Sequence, residues 1–148
     1  IVFGDWSSDV CSSDLGATIA DLCRLPDVDP GHGRSMQPLL EGREEADRDC
    51  AVCSANGQQF GLYTQRCIRT ADRLYVWNLT DIDELYDLQN DPGQLVNRID
   101  DPDLTADLAM LRQRLYHILK ARGDPFVRTD WVRSQLMDNR KLIRGDFV

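Results

Sequence analysis

The sequence predicts an α+β domain: a small antiparallel sheet of about three to four strands, packed by one long C-terminal helix and preceded by a short helical segment. Three observations carry that expectation. Residues 58–70 and 73–80 are rich in aromatic and β-branched side chains and flank the turn residues Ala71 and Asp72, the pattern of two adjacent antiparallel strands. Leu104, Leu108, Leu111, Leu115, Ile118 and Leu119 recur at helical spacing over residues 103–121, which gives one helix an apolar stripe able to cover a sheet. Finally, 42% hydrophobic and 28% charged residues in 148 positions are the balance of a folded chain with a core.

The elements follow in order. Ile19, Ala20, Leu22 and Cys23 place residues 16–25 on a short helical pattern that stops at Pro26, and the turn-rich run PDVDPGHGR connects it onward. Ser35 is placed to cap a second short helix through Met36–Leu40, with Gly42 ending it. The charge run over residues 41–49 reads as a solvated break between two substructures. In the second strand Leu74, Val76 and Asn78 face one way and Tyr75, Trp77 and Leu79 the other, so each face is partly covered. A third strand is expected over Glu84–Leu88. Asp103 is placed to cap the long helix and Gly123 to end it before Pro125. In the tail, residues 127–148, the apolar Trp131, Val132, Leu136 and Met137 can dock on the helix or on a neighbouring surface, including a second copy of the chain.

Charge narrows the function. The formal net charge is −8, from 25 acidic and 17 basic residues, which opposes nucleic-acid binding because phosphates need a basic patch. No apolar run has the ~20 residues of a membrane span. Five cysteines at irregular spacing do not make a secreted disulfide framework. Cys50 and Cys53 form one CxxC pair, but zinc sites take four ligands, there is no second pair, and His32 and His117 are far apart in sequence. Two small semi-buried residues are the plainer reading of that pair, and His32, in GHGR, reads as part of the connector.

One phrase is more specific. Glu84-Leu85-Tyr86-Asp87-Leu88, then Asp91-Pro92-Gly93 and Asn97, resembles the C-terminal signature of the type I sulfatases, a strand running into a tight turn. Gln94 stands where that family commonly has Glu. Residues 16–42 resemble the last helix of the family's α/β catalytic domain and its connector. Arg69, Thr70, Arg73 and Tyr75 match an R-T-x-R-x-K-Y phrase, with Leu74 in place of Lys. The resemblance covers residues 14–126 in the family's order. It implies a connector over 16–42, the C-terminal subdomain over 43–126 and a tail over 127–148.

The resemblance also implies chemistry for an intact parent: hydrolysis of sulfate esters, or of phosphonate or phosphate esters in some relatives. The means would be a Ca²⁺-like divalent metal ion and a formylglycine made from Cys or Ser in C-x-P-x-R. No cysteine here has that motif; after Cys23, proline falls one position late. The expectation is therefore a piece with no catalytic residues, no metal ligands and no cofactor of its own. Its partner would be the missing N-terminal catalytic domain, with neither nucleic acid nor membrane involved, in a bacterial cytoplasm or periplasm, the cytoplasm preferred. A stand-alone interaction module reusing the subdomain is the rival reading. Asn56, Gln59, Tyr63 and Gln65, polar groups around the start of the first strand, are the candidates for a substrate rim; a polar turn with solvent-facing strand positions would read the same way.

The N-terminal run has its own resemblance. Asp5 to Leu15, DWSSDVCSSDL, resembles the translation of a short-read sequencing-library adapter, so residues 1–15 are expected to be an artefact of the read. Removing Asp5, Asp9 and Asp14 would bring the charge from −8 to −5. Asp14 and Leu15 match both the adapter and the family's own Asp-Leu.

Overall fold

The structure is a computed structural model and describes residues 12–25, 33–43, 49–56 and 64–138. The chain divides between Ala51 and Val52 into two units.

In the first unit, helix α1 (Ser12–Leu22) begins four residues before Gly16, and α2 (Gln37–Leu40) is a single turn. One face of α1 is fastened by polar side chains. Asp14, 1% exposed, accepts from the Arg34 amide through Oδ1 (2.8 Å), and Thr18 Oγ1 accepts from the Met36 amide (2.9 Å) while donating to the Asp14 carbonyl (2.7 Å). These bonds hold the segment before α2 along α1. Arg24 adopts φ +52°, and the Leu25 amide closes on the Ala20 carbonyl, so the chain turns off the helix before Pro26. Ser35 Oγ accepts from the Gln37 amide at 3.2 Å, and Gly42, at φ +68°, ends α2 as expected.

The second unit is the α+β body. Its sheet has the order β1 (Ala51–Asn56), β2 (Thr64–Arg69), β3 (Arg73–Asn78), β4 (Glu84–Asp87). The β2–β3 and β3–β4 pairs are antiparallel, and their register sets Ile68 opposite Tyr75 and Tyr75 opposite Leu85. All three are fully buried. The same face carries Arg66 opposite Trp77, the latter 1% exposed. Thr70 closes the β2–β3 turn: its amide donates to the Arg73 carbonyl, and its Oγ1 accepts from the Arg73 amide. The sheet thus has four strands, within the three to four expected, and β1 is the strand not located from the sequence. The expected first strand over 58–70 is described from Thr64 onward, and residues 57–63 lie outside the described residues.

Helix α3 (Thr105–Ala121) packs on β2 and β3. Leu111, Leu115 and Leu119 are at most 2% exposed and Leu108 9%, each worth about 1.5–3 kcal/mol of burial. Leu104 and Ile118 are only half-buried, at the margins of the stripe. The expected cap needs correction. Asp101, not Asp103, supplies the oxygen, accepting from the Asp103 amide at 2.9 Å. Pro102, with its fixed φ, starts a 3-10 turn over Pro102–Leu104, which moves the capped end two residues upstream. Gly123, at φ +70°, ends the helix with the Asp124 amide on the Leu119 carbonyl. A short 3-10 turn (Phe126–Arg128) then leads to α4 (Asp130–Asp138), which packs on α3 with Val132 and Leu136 buried and Trp131 half-exposed. No described helix is long and apolar enough to cross a membrane.

Candidate functional site

Three places in the second unit gather paired charged side chains with buried or turning backbone. At the first, Arg66 is only 2% exposed, yet each nitrogen of its guanidinium has a partner. Nε donates to Asp124 Oδ2 (2.7 Å), Nη2 to Asp124 Oδ1 (3.4 Å), and Nη1 to Asn56 Oδ1 and the carbonyls of Gln65 and Ala55 (3.0, 2.8 and 3.3 Å). The cation also lies 4.9 Å from the centre of the Phe126 ring. A single arginine therefore ties the end of β1, the start of β2 and the turn after α3 together. A buried charge is tolerated only with such full pairing.

At the second place, Arg112 rises from the buried stripe of α3. Its Nε donates to Tyr75 Oη (3.2 Å) and its Nη2 to Asp83 Oδ2 (3.2 Å), while Tyr75 Oη donates to the same Asp83 oxygen at 2.8 Å. Burial pushes the Tyr75 phenol well above its ordinary range, and the Asp83 carboxylate adds to the rise. The tyrosine is thus a neutral donor that helps hold the Asp83 side chain in place.

The third place is the signature turn. Asp87 Oδ1 accepts from the Gln89 and Asn90 amides (3.1 and 3.2 Å) and Oδ2 from Asn90 Nδ2 (3.0 Å). The Asn90 side chain, foremost, holds the Asp87 carboxyl below the usual range. Arg73, opposite Asp87 across the strand pair, bridges it (3.1 Å) to Asp107 of α3 (3.0 Å). Asp91 Oδ2 accepts from the Leu95 and Val96 amides (2.7 and 2.9 Å). Asn97 Oδ1 accepts from the Leu85 and Ile99 amides, and its Nδ2 donates to the Asp83 carbonyl (3.0, 3.0 and 3.1 Å). Gln94 sits between them at φ +55°. Asp87, Asp91 and Asn97 are each committed to backbone that bends sharply, so the phrase specifies a turn.

Of the four residues expected at a substrate rim, Gln59 and Tyr63 lie outside the described residues. Asn56 and Gln65 are exposed at the ends of β1 and β2, with their side chains held by the sheet. Asn56 Oδ1 accepts from Arg66, and Gln65 Nε2 donates to Asn78 Oδ1 at 2.6 Å. Arg66 links the two, contacting the Asn56 side chain and the Gln65 carbonyl. Among the described residues no group of three His, Cys, Asp or Glu side chains could hold a metal ion, so these residues do not fit the metal implied by the resemblance. Cys50 is half-buried and Cys53 exposed. Sequence reasoning missed Arg66 and Arg112, although each carried a signal: a cation on the buried face of a strand, and a cation on the buried stripe of a helix.

No protein-family model matches the chain. An uncharacterised protein of Haemophilus influenzae is 28% identical over 119 residues, covering 80% of this chain and 60% of that protein. Among solved structures, a 2-O GAG sulfatase is 26% identical with a TM-score of 0.66, over 78% of this chain and 26% of its own. The phosphonate monoester hydrolase of Agrobacterium radiobacter is 25% identical with a TM-score of 0.63, over 74% and 24%. Together they support the sulfatase and alkaline-phosphatase-like superfamily. The chain spans less than two thirds of the curated relative it matches and about a quarter of each solved hydrolase.

Proposed function

We propose that this chain is the C-terminal piece of a sulfatase-like hydrolase, its intact parent cleaving sulfate esters with a formylglycine nucleophile and a Ca²⁺-like divalent metal ion. The observation that carries this reading is the likeness of three quarters of the chain to about a quarter of a sulfatase, with the signature turn built from Asp87, Asp91 and Asn97. The chain alone is inactive in this reading. Its partner is an α/β catalytic domain that would supply nucleophile, metal ligands and the charged groups that stabilise the transferring sulfuryl oxygens. Asn56, Gln59, Tyr63 and Gln65 are proposed for the rim of the parent's cleft, and α4 with the tail for a contact between copies. A phosphonate monoester hydrolase parent is the second reading, favoured by the nearly equal likeness to the Agrobacterium enzyme.

The test is sequencing upstream of Gly16 and assay of the restored gene product. A long α/β domain with C-x-P-x-R or S-x-P-x-R, and turnover of an aryl sulfate above a phosphonate diester, is the expected result. The reverse preference selects the second reading. A start codon adjoining Gly16 with no such domain would overturn both in favour of an interaction module, and an uninterrupted gene encoding residues 5–15 would overturn the adapter origin of that run.

A further inference from the structure

The turn from α3 into α4 encloses a cleft of about 350 Å³, within the size range of small-ligand sites. Buried Val127 and the Tyr116 ring give it apolar surface, and Lys120, Arg128 and Arg133 bring three cations to its lining. The two carboxylates that also line it are unequal opponents. Asp124 is occupied by Arg66 and by the Phe126 amide (2.9 Å), and Asp130, 3.9 Å from Arg133, is fully exposed.

Lys120 and Arg128 are left with charge to spare. Among the described residues Lys120 has the Tyr116 ring as its partner, at 5.9 Å, and Arg128 has a neutral one, donating through Nη2 to the Gly123 carbonyl at 3.2 Å. That bond fixes the Arg128 guanidinium near glycine backbone on which a side chain would meet little else. In a chain of net charge −8, two cations without carboxylate partners beside an aromatic wall and an apolar residue form a local reversal of the field.

We infer that this cleft binds a small oxyanion, a carboxylate, sulfate or phosphate group, between Lys120 and Arg128, with any short apolar stem against Tyr116 and Val127. The inference does not depend on the parent's reaction. The plainer role for these cations is to offset the negative C-terminal end of α3, which requires no ligand.

Amide chemical shifts of the full chain, titrated with sodium sulfate, inorganic phosphate or benzoate at ionic strength held constant with sodium chloride, separate the two. Binding predicts saturable shifts centred on Gly123, Arg128 and Thr129, half-complete at about 1–10 mM, as expected for two charge-assisted contacts. The tightest of the three salts identifies the group. Lys120→Gln and Arg128→Ala should each weaken binding about tenfold. Lys120→Gln leaves the Arg128 bond to Gly123 intact, so it remains informative if Arg128→Ala loosens the turn. Linear shifts equal to those of sodium chloride, or saturation unaltered in Lys120→Gln, would overturn the inference.

Discussion

Helices α1 and α3 carry similar apolar spacings and have opposite fates. On α3 the leucines at 108, 111, 115 and 119 are buried, and even the cation among them, Arg112, is enclosed and paired. On α1 the face carrying Leu15, Ile19 and Leu22, continued by Leu25, is 55–57% exposed, and the buried side holds the polar Asp14 and Thr18 with the small Ala17. An apolar stripe in sequence therefore announces a surface to be covered, without saying what covers it. The α3 stripe lies on a sheet encoded in the same chain. In the parent proposed above, the α1 stripe faces the rest of the hydrolase.

Substitutions can break or sharpen this contrast. The largest effect is expected from Asp124→Ala, which strands the Arg66 guanidinium and should cost about 3–5 kcal/mol in urea unfolding. Replacing both, as Arg66→Met with Asp124→Leu, should recover most of it. Next, Leu115→Ala should cost about 2–5 kcal/mol, whereas Ile19→Ala on α1 should change stability by less than about 0.5 kcal/mol. Equal losses at the two positions would erase the distinction. Asn97→Ala, which leaves the Leu85 amide without its acceptor, should cost about 1–3 kcal/mol.

The smallest effects are pH-dependent. Tyr75 has a raised pKa, so its contribution is complete below about pH 10, the unfolded value, and is lost as pH rises through the folded one. Asp87 has a lowered pKa, so its contribution is present above about pH 4 and fades as pH falls through the folded value. Tyr75→Phe and Asp87→Asn should remove the respective alkaline and acid limbs from a stability profile. Limbs that persist unchanged in both variants would assign them to other groups.

Local pattern made β2, β3, β4 and α3 legible, because aromatic and β-branched runs, a two-residue turn and a leucine stripe are all read within one element. Gly123 was legible for the same reason. β1 was not: Ala51-Val52-Cys53-Ser54-Ala55-Asn56 is mostly small or polar, and its strand character comes from pairing with β2. The Arg66–Asp124 pair spans 58 positions, beyond any periodicity, and Asp101 displaced Asp103 as the cap because Pro102 sets where the first turn begins. Of the proposed rim, the structure locates Asn56 and Gln65, and Arg66 beside them was the residue the sequence offered without being read.

The signature turn has a consequence outside structure. Asp87, Asp91 and Asn97 use their side chains on the backbone of their own loop, so a gene variant at any of them would alter how many copies of the protein survive cellular quality control. In the parent hydrolase proposed above, each surviving copy would work at its usual pace. Screens that score total activity in lysate would misfile such alleles as catalytic, and normalising to protein amount would return them to the class of abundance mutants.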